Sequence, residues 1–131
     1  MAFIQIKTKD DNLFNIKFYE QCIKNIKNEI ETLKGDDSNH AMHRRLHLES
    51  KIIATKRQFN FFNSNKIDSL LGKGFDVYFN GAILKIDTKN QWWGEFNYYP
   101  KCGKLYAKKW KKWYTHAWSF VENKLINNDR L

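Results

Sequence analysis

His40-Ala-Met-His43-Arg44-Arg45-Leu-His47 places three imidazoles at i, i+3 and i+7, one polar face of a helical segment. Three imidazoles begin a zinc site, but a structural site normally closes with a fourth ligand, and no cysteine lies near in sequence. Acid/base chemistry on RNA is the other use, with Arg44 or Lys51 holding a phosphate. It needs a pocket, which an outward helix face seldom supplies. A solvated, partly cationic face that binds no metal therefore ranks first and a phosphate-contact face second, ahead of a zinc site or a small RNase using His43 or His47. Asp10-Asp11 and Asp36-Asp37 sit at expected helix starts, so capping accounts for them before a metal does. Cys22 and Cys102, the two cysteines, make neither a disulfide framework nor a metal knuckle, and a reducing cytoplasm is the expected setting. Cys102 lies in a lysine-rich turn, a setting that can make thiols reactive; a turn residue without chemistry is the simpler reading. There is no phosphate-cradling glycine loop, nucleophile elbow, C-x-x-C or H-E-x-x-H. The expectation is a protein that is not an enzyme and uses no cofactor.

Binding chemistry is better supplied. Lys101, Lys104, Lys108, Lys109, Lys111 and Lys112 carry six positive charges in twelve residues with no acid among them, interleaved with Tyr106, Trp110 and Trp113. Residues 101–131 hold +6 of the net +9. Lysines neutralise phosphates by releasing counterions, and exposed rings stack on unpaired bases for roughly 1–3 kcal/mol each. Strand alternation would let Tyr106, Lys108 and Trp110 share a face with Trp93 and Tyr99, and Arg44, Arg45 and Lys51 would extend the surface. Two other readings stand beside this one: rings that fill the core while lysines keep the surface soluble, and a strip that meets an acidic protein groove. Fourteen asparagines, and only four arginines among 23 basic residues, are the bias of AT-rich coding, so charge alone is weak support. The aromatic content is stronger, because fourteen of 21 rings, including all five tryptophans, follow residue 74.

The elements that must position these groups can be read from periodicity. Met1 to Lys7 is a short strand or extended arm. Leu13 to Lys34 is a helix with Asp10-Asp11-Asn12 as caps, its stripe formed by Tyr19, Cys22, Ile23, Ile26, Ile30 and Leu33. Gly35 stops it. A second helix from Asn39 to Phe59 gathers Met42, Leu46, Leu48, Ile52, Ile53 and Phe59 on a broad arc, completing a helical hairpin. A brief turn runs from Asn63 to Leu71. Phe75, Val77 and Phe79 then alternate, Asn80-Gly81 turns, and Ile83 to Ile86 returns. Lys73 to Phe79 resembles the aromatic strand of an RNA recognition motif, but it is one residue short, lacks the second small residue and stands in the wrong order of elements. Gln91 to Tyr99 is a third strand, with Trp92, Phe96 and Tyr98 on one face and Trp93, Glu95, Asn97 and Tyr99 on the other. Leu105 to Lys109 is a fourth strand, and a closing helix from Lys112 to Asn127 turns Tyr114, Ala117, Trp118, Val121 and Leu125 inward. The whole is an α+β domain of about four antiparallel strands: 1–131 as one domain, 1–72 mainly helical hairpin, 73–131 meander plus helix.

At 131 residues and 42% hydrophobic, the chain suits one core. Its net charge points to an acidic partner such as nucleic acid, and no apolar run approaches the roughly 20 residues of a membrane span. The first residues lack the pattern of a secretion signal. The segments Phe75-Asp-Val-Tyr-Phe-Asn-Gly81, Trp92-Trp-Gly-Glu-Phe-Asn-Tyr-Tyr-Pro100 and Lys104-Leu-Tyr106 resemble small proteins of phages and mobile elements from AT-rich Bacteroidetes. Among these the chain resembles the anti-CRISPR proteins, inhibitors of the RNA-guided RNase Cas13b included. Many anti-CRISPR proteins are acidic nucleic-acid mimics, and a basic chain excludes mimicry. The resemblance implies a non-enzymatic inhibitor in the bacterial cytoplasm that binds the effector, its guide RNA or the seam between them. A stand-alone protein for single-stranded nucleic acid is the alternative.

Overall fold

The computed structural model describes residues 2–131. Its first helix, α1 (Lys9–Thr32), starts at Thr8. The Thr8 hydroxyl accepts from the Asp11 amide, and the Asp11 carboxylate accepts from the amides of Lys7 and Thr8. This capping box satisfies amides that a bare helix end would leave unpaired. The helix therefore begins four residues before Leu13, with Asp11 inside the first turn rather than at the cap. Ser38 caps α2 (Asn39–Phe62), its hydroxyl accepting from the Ala41 amide.

The two helices meet along a seam of alternating four- and three-residue steps. On α1 it runs Asn12, Ile16, Tyr19, Ile23, Ile26, Ile30 and Leu33, and on α2 Ala41, Arg45, Leu48, Ile52, Thr55, Phe59 and Phe62. Every one of these is buried or half-buried. A 3.5-residue period is the pattern of a two-stranded coiled coil. The broad apolar arc expected on α2 does not survive: Met42, Leu46 and Ile53 are exposed, while the polar Thr55 and Gln58 are buried. A single partner helix covers only a narrow stripe, so apolar residues beside it find nothing to pack against.

Residues 73 onward and the N-terminal arm build one antiparallel sheet in sequence order: β1 (Ile4–Ile6), β2 (Asp76–Phe79), β3 (Leu84–Asp87), β4 (Glu95–Tyr99), β5 (Lys104–Ala107) and β6 (Lys112–Tyr114). The α+β class holds, but there are six strands where about four were expected. One addition is the arm itself, with Ile4 opposite Phe79 and Ile6 opposite Val77. The other is β6, which replaces the start of the expected closing helix. Lys111, at φ 51°, lets the chain turn back so that Ala107, Tyr106 and Leu105 oppose Lys112, Trp113 and Tyr114. Trp113, Tyr114 and Thr115 also favour a strand. What remains is a short α4 (Trp118–Phe120) leading into a π-helical turn, Val121–Ile126. A seven-residue α3 (Lys66–Gly72) links α2 to the sheet.

Val77, Leu84, Ile86, Phe96, Tyr98 and Leu105 point to one face of the sheet and join Tyr19, Phe61, Phe62, Ile67, Leu70, Val121 and Leu125 in a single buried cluster. All helical layers thus lie on that side, and among the described residues no helix covers the other. Ile26, Ala41 and Leu48 are buried but fall outside this cluster, so the far half of the hairpin stands away from the sheet on its own seam. Among the described residues no helix is long and apolar enough to cross a membrane.

Candidate nucleic-acid interface

Because side chains alternate along a strand, residues between the buried ones project from the open face. The registers align Gln5, Tyr78, Lys85, Asn97, Tyr106 and Trp113 in one row across all six strands. Tyr99, opposite Lys104, stands beside that row. The Trp113 ring lies 4.9 Å from Tyr106 and 5.6 Å from Tyr99, centroid to centroid, and remains 55% exposed. The Lys85 ammonium sits 4.6 Å from the centre of the Tyr78 ring and 5.1 Å from that of Phe3. Between these groups the Asn97 side-chain oxygen is buried without a hydrogen-bond donor. Acids occur on this face as well, but Lys89 pairs with Asp76 at 3.1 Å and Lys108 with Glu95 at 3.0 Å. Asp87, opposite both of these acids in the register, accepts from the Lys89 amide and makes no ion pair among the described residues, so one negative charge on this face is left unmatched.

The lysines bracket the three rings. Lys101, in the β4–β5 turn, and Lys104, at the start of β5, stand at one end, and the β5–β6 turn carrying Lys108 to Lys111 stands at the other. Lys108 is committed to Glu95. The Lys109 ammonium donates to the Gln91 carbonyl, and Lys112 lies 5.3 Å over Tyr114. Lys101, Lys104 and Lys111 are exposed and make no ion pair among the described residues.

Tyr99 and Tyr106 share the open face as expected, but Trp93 and Trp110 do not join them. Asn90 accepts from the amides of Trp92 and Trp93, and Gly94 turns at φ 65°, so the chain enters β4 only at Glu95 and alternation does not extend back to Trp93. Likewise β5 ends at Ala107, before Lys108 and Trp110. Trp93 and Trp110 pack together at 5.2 Å, against Phe120 and Phe96 of the covered side. Trp92 caps that group and is 68% exposed. In their place the structure adds Trp113, which a helical reading of residues 112–127 hides.

Arg44, Arg45 and Lys51 lie on the hairpin, across the sheet from this face. Arg44 grips Glu29 at 2.9 and 3.0 Å, and Arg45 donates to the Leu33 carbonyl at 2.9 Å, closing the end of α1. Lys51 is exposed on α2, as are His40, His43 and His47. Among the described residues no three His, Cys, Asp or Glu side chains gather as a metal would need. On the covered side, burial pushes Tyr98 up to about 12, with the nearby Cys102 adding to the shift, and Tyr19 likewise to about 12. Comparison with protein-family models, curated proteins and solved structures finds no match to this chain.

Proposed function

We propose that this is a non-enzymatic binding protein whose β4–β6 face takes unpaired RNA, and that it inhibits an RNA-guided effector of the Cas13b kind by engaging its guide RNA or the seam between guide and protein. The observation that carries the reading is the cluster of Tyr99, Tyr106 and Trp113 on a helix-free sheet face, with Lys101 and Lys104 at one end and Lys111 at the other. β5 spans about 13 Å. That is room for two or three bases, the number that RNA-recognition sheets stack on their aromatic strands. The rings supply sequence-tolerant stacking and the lysines neutralise the flanking phosphates. The effector as the RNA's owner is supported by the resemblance of the chain to anti-CRISPR proteins.

The test is a titration of tryptophan fluorescence with single-stranded RNA, followed by gel filtration with an effector–guide complex. Trp113→Ala is expected to weaken RNA binding about 5- to 150-fold, the loss of one stacked base. Lys104→Glu should weaken it too, and Lys51→Glu should leave it unchanged. An RNA affinity untouched by Trp113→Ala removes the open face as the site. Binding to free RNA without any stable effector complex would instead indicate the stand-alone protein for single-stranded nucleic acid.

A further inference from the structure

The opposite edge of the sheet presents a second surface, independent of RNA binding. β1 ends the strand order, so its outer backbone groups have no neighbouring strand among the described residues. Such an edge is a template for another strand. Alongside it, between β1 and α1, runs a groove of about 460 Å³ lined by Ile4, Ile6, Phe14, Phe18, Tyr19 and Phe79. Ile4 faces the covered side, like its partner Phe79, yet is 73% exposed; Phe14 is 72% exposed and Phe18 54%. Phe14 and Phe18 are one helical turn apart and overhang the same edge.

We propose that this surface is the interface of a two-fold dimer, in which β1 of one copy pairs antiparallel with β1 of a second copy about Gln5. An antiparallel pair of identical strands is its own mate under a two-fold axis. In this register Ile4 meets Ile6 of the partner on the covered side, where Phe14 and Phe18 of both copies close over them. Gln5 meets Gln5 of the partner on the open side, and Phe3 meets Lys7 of the partner. On the covered side apolar residues thus face apolar ones, and no like charges face each other across the strands. With about 150–250 Å² for an aromatic side chain, the exposed parts of Phe3, Ile4, Phe14 and Phe18 amount to roughly 450 Å² per copy. The dimer would bury on the order of 1,000–1,200 Å² including the strand backbone, the lower bound of a specific interface. Net charge does not oppose it here: residues 1–18 carry three lysines and two aspartates, while the excess lies in residues 101–131. The product is one twelve-stranded sheet whose two aromatic clusters sit at its far ends.

Sedimentation without RNA, from about 1 to 100 µM, the range that brackets micromolar association, is the test. The expected result is a species of twice 15.8 kDa that Ile4→Lys converts to a monomer with unchanged circular dichroism. Phe14→Ser/Phe18→Ser should do the same, since both side chains are exposed and their loss spares the core. Gln5→Cys, in a Cys22→Ser/Cys102→Ser background, should form an intermolecular disulfide under mild oxidation, because directly opposed residues stand within disulfide reach. A chain monomeric throughout the range overturns the dimer and leaves the edge to a foreign strand or a small apolar ligand. A dimer that survives Ile4→Lys, or that fails to cross-link through Gln5→Cys, overturns it equally. RNA binding by a monomer would leave the proposed function intact.

Discussion

Single side chains carry three kinds of constraint here. Asn12 donates to the Phe62 carbonyl at 3.0 Å inside the hairpin seam, tying the start of α1 to the end of α2. Asn12→Ala leaves that buried carbonyl unpaired and should cost about 1–3 kcal/mol in urea unfolding. Asp11 and Asp36 are held below the usual carboxylate range, Asp11 chiefly by the Lys7 amide and Asp36 by the Ser38 amide. A carboxyl lowered in the folded state stabilises it above the unfolded value of 3.8; this is lost as pH falls through the lower, folded value. Asp11→Asn should therefore flatten the stability–pH curve below about pH 4, measured by thermal melts across that range. Tyr19 and Tyr98, raised to about 12, act at the other extreme: their contribution is intact below pH 10 and declines between about 10 and 12, as the unfolded chain ionises first. Two of the six tyrosines should thus titrate late when tyrosinate absorbance is followed.

Among the elements, the hairpin is held in two ways along its length. Its base, around Tyr19, Phe61 and Phe62, is anchored in the main cluster, whereas Ile26, Ala41 and Leu48 bury only one another's surroundings. Segments with fewer buried contacts open at lower free energy. Amide exchange should accordingly be faster at residues 24–34 and 40–50 than in β3, β4 and β5, and Leu48→Ala should accelerate it in the far half alone. Uniform protection along both helices would show that the hairpin and sheet open together. β6 matters more than its three residues suggest, because it is the strand that places Trp113 beside Tyr106.

For the whole molecule, charge is distributed unevenly, and its effect should be read through salt. Lys101, Lys104 and Lys111, which have neither an ion pair nor another side-chain partner among the described residues, flank the aromatic cluster, so single-strand binding through them should weaken with a log–log salt slope of about −2, near −0.7 per phosphate contacted. Lys101→Ala/Lys104→Ala/Lys111→Ala should bring that slope toward zero while Trp113→Ala leaves it in place. A slope unchanged in the triple variant would mean that other cations meet the phosphates.

Much of this architecture is legible in the sequence because it is local. Four- and three-residue spacings announced the first helix, Asn80-Gly81 the β2–β3 hairpin, and alternation through Phe75, Val77 and Phe79 the buried side of β2. The residues that supply the open face were also visible in part, since Tyr99, Tyr106 and the lysines from 101 to 112 stand out by type. What tertiary structure alone decided is which rings face which way. Trp113, Tyr114 and Thr115 favour a strand by type, but that preference is weak beside helical spacing, and pairing with β5 is what made Lys112–Tyr114 a strand and turned Trp113 outward. One turn at Gly94 and another after Ala107 broke the alternation that would have aligned Trp93 and Trp110 with Tyr99. Methionine, leucine and isoleucine at positions 42, 46 and 53 read as core, yet burial depends on whether a partner arrives within reach. Periodicity is a property of the chain with itself; exposure depends on what distant segments bring against it.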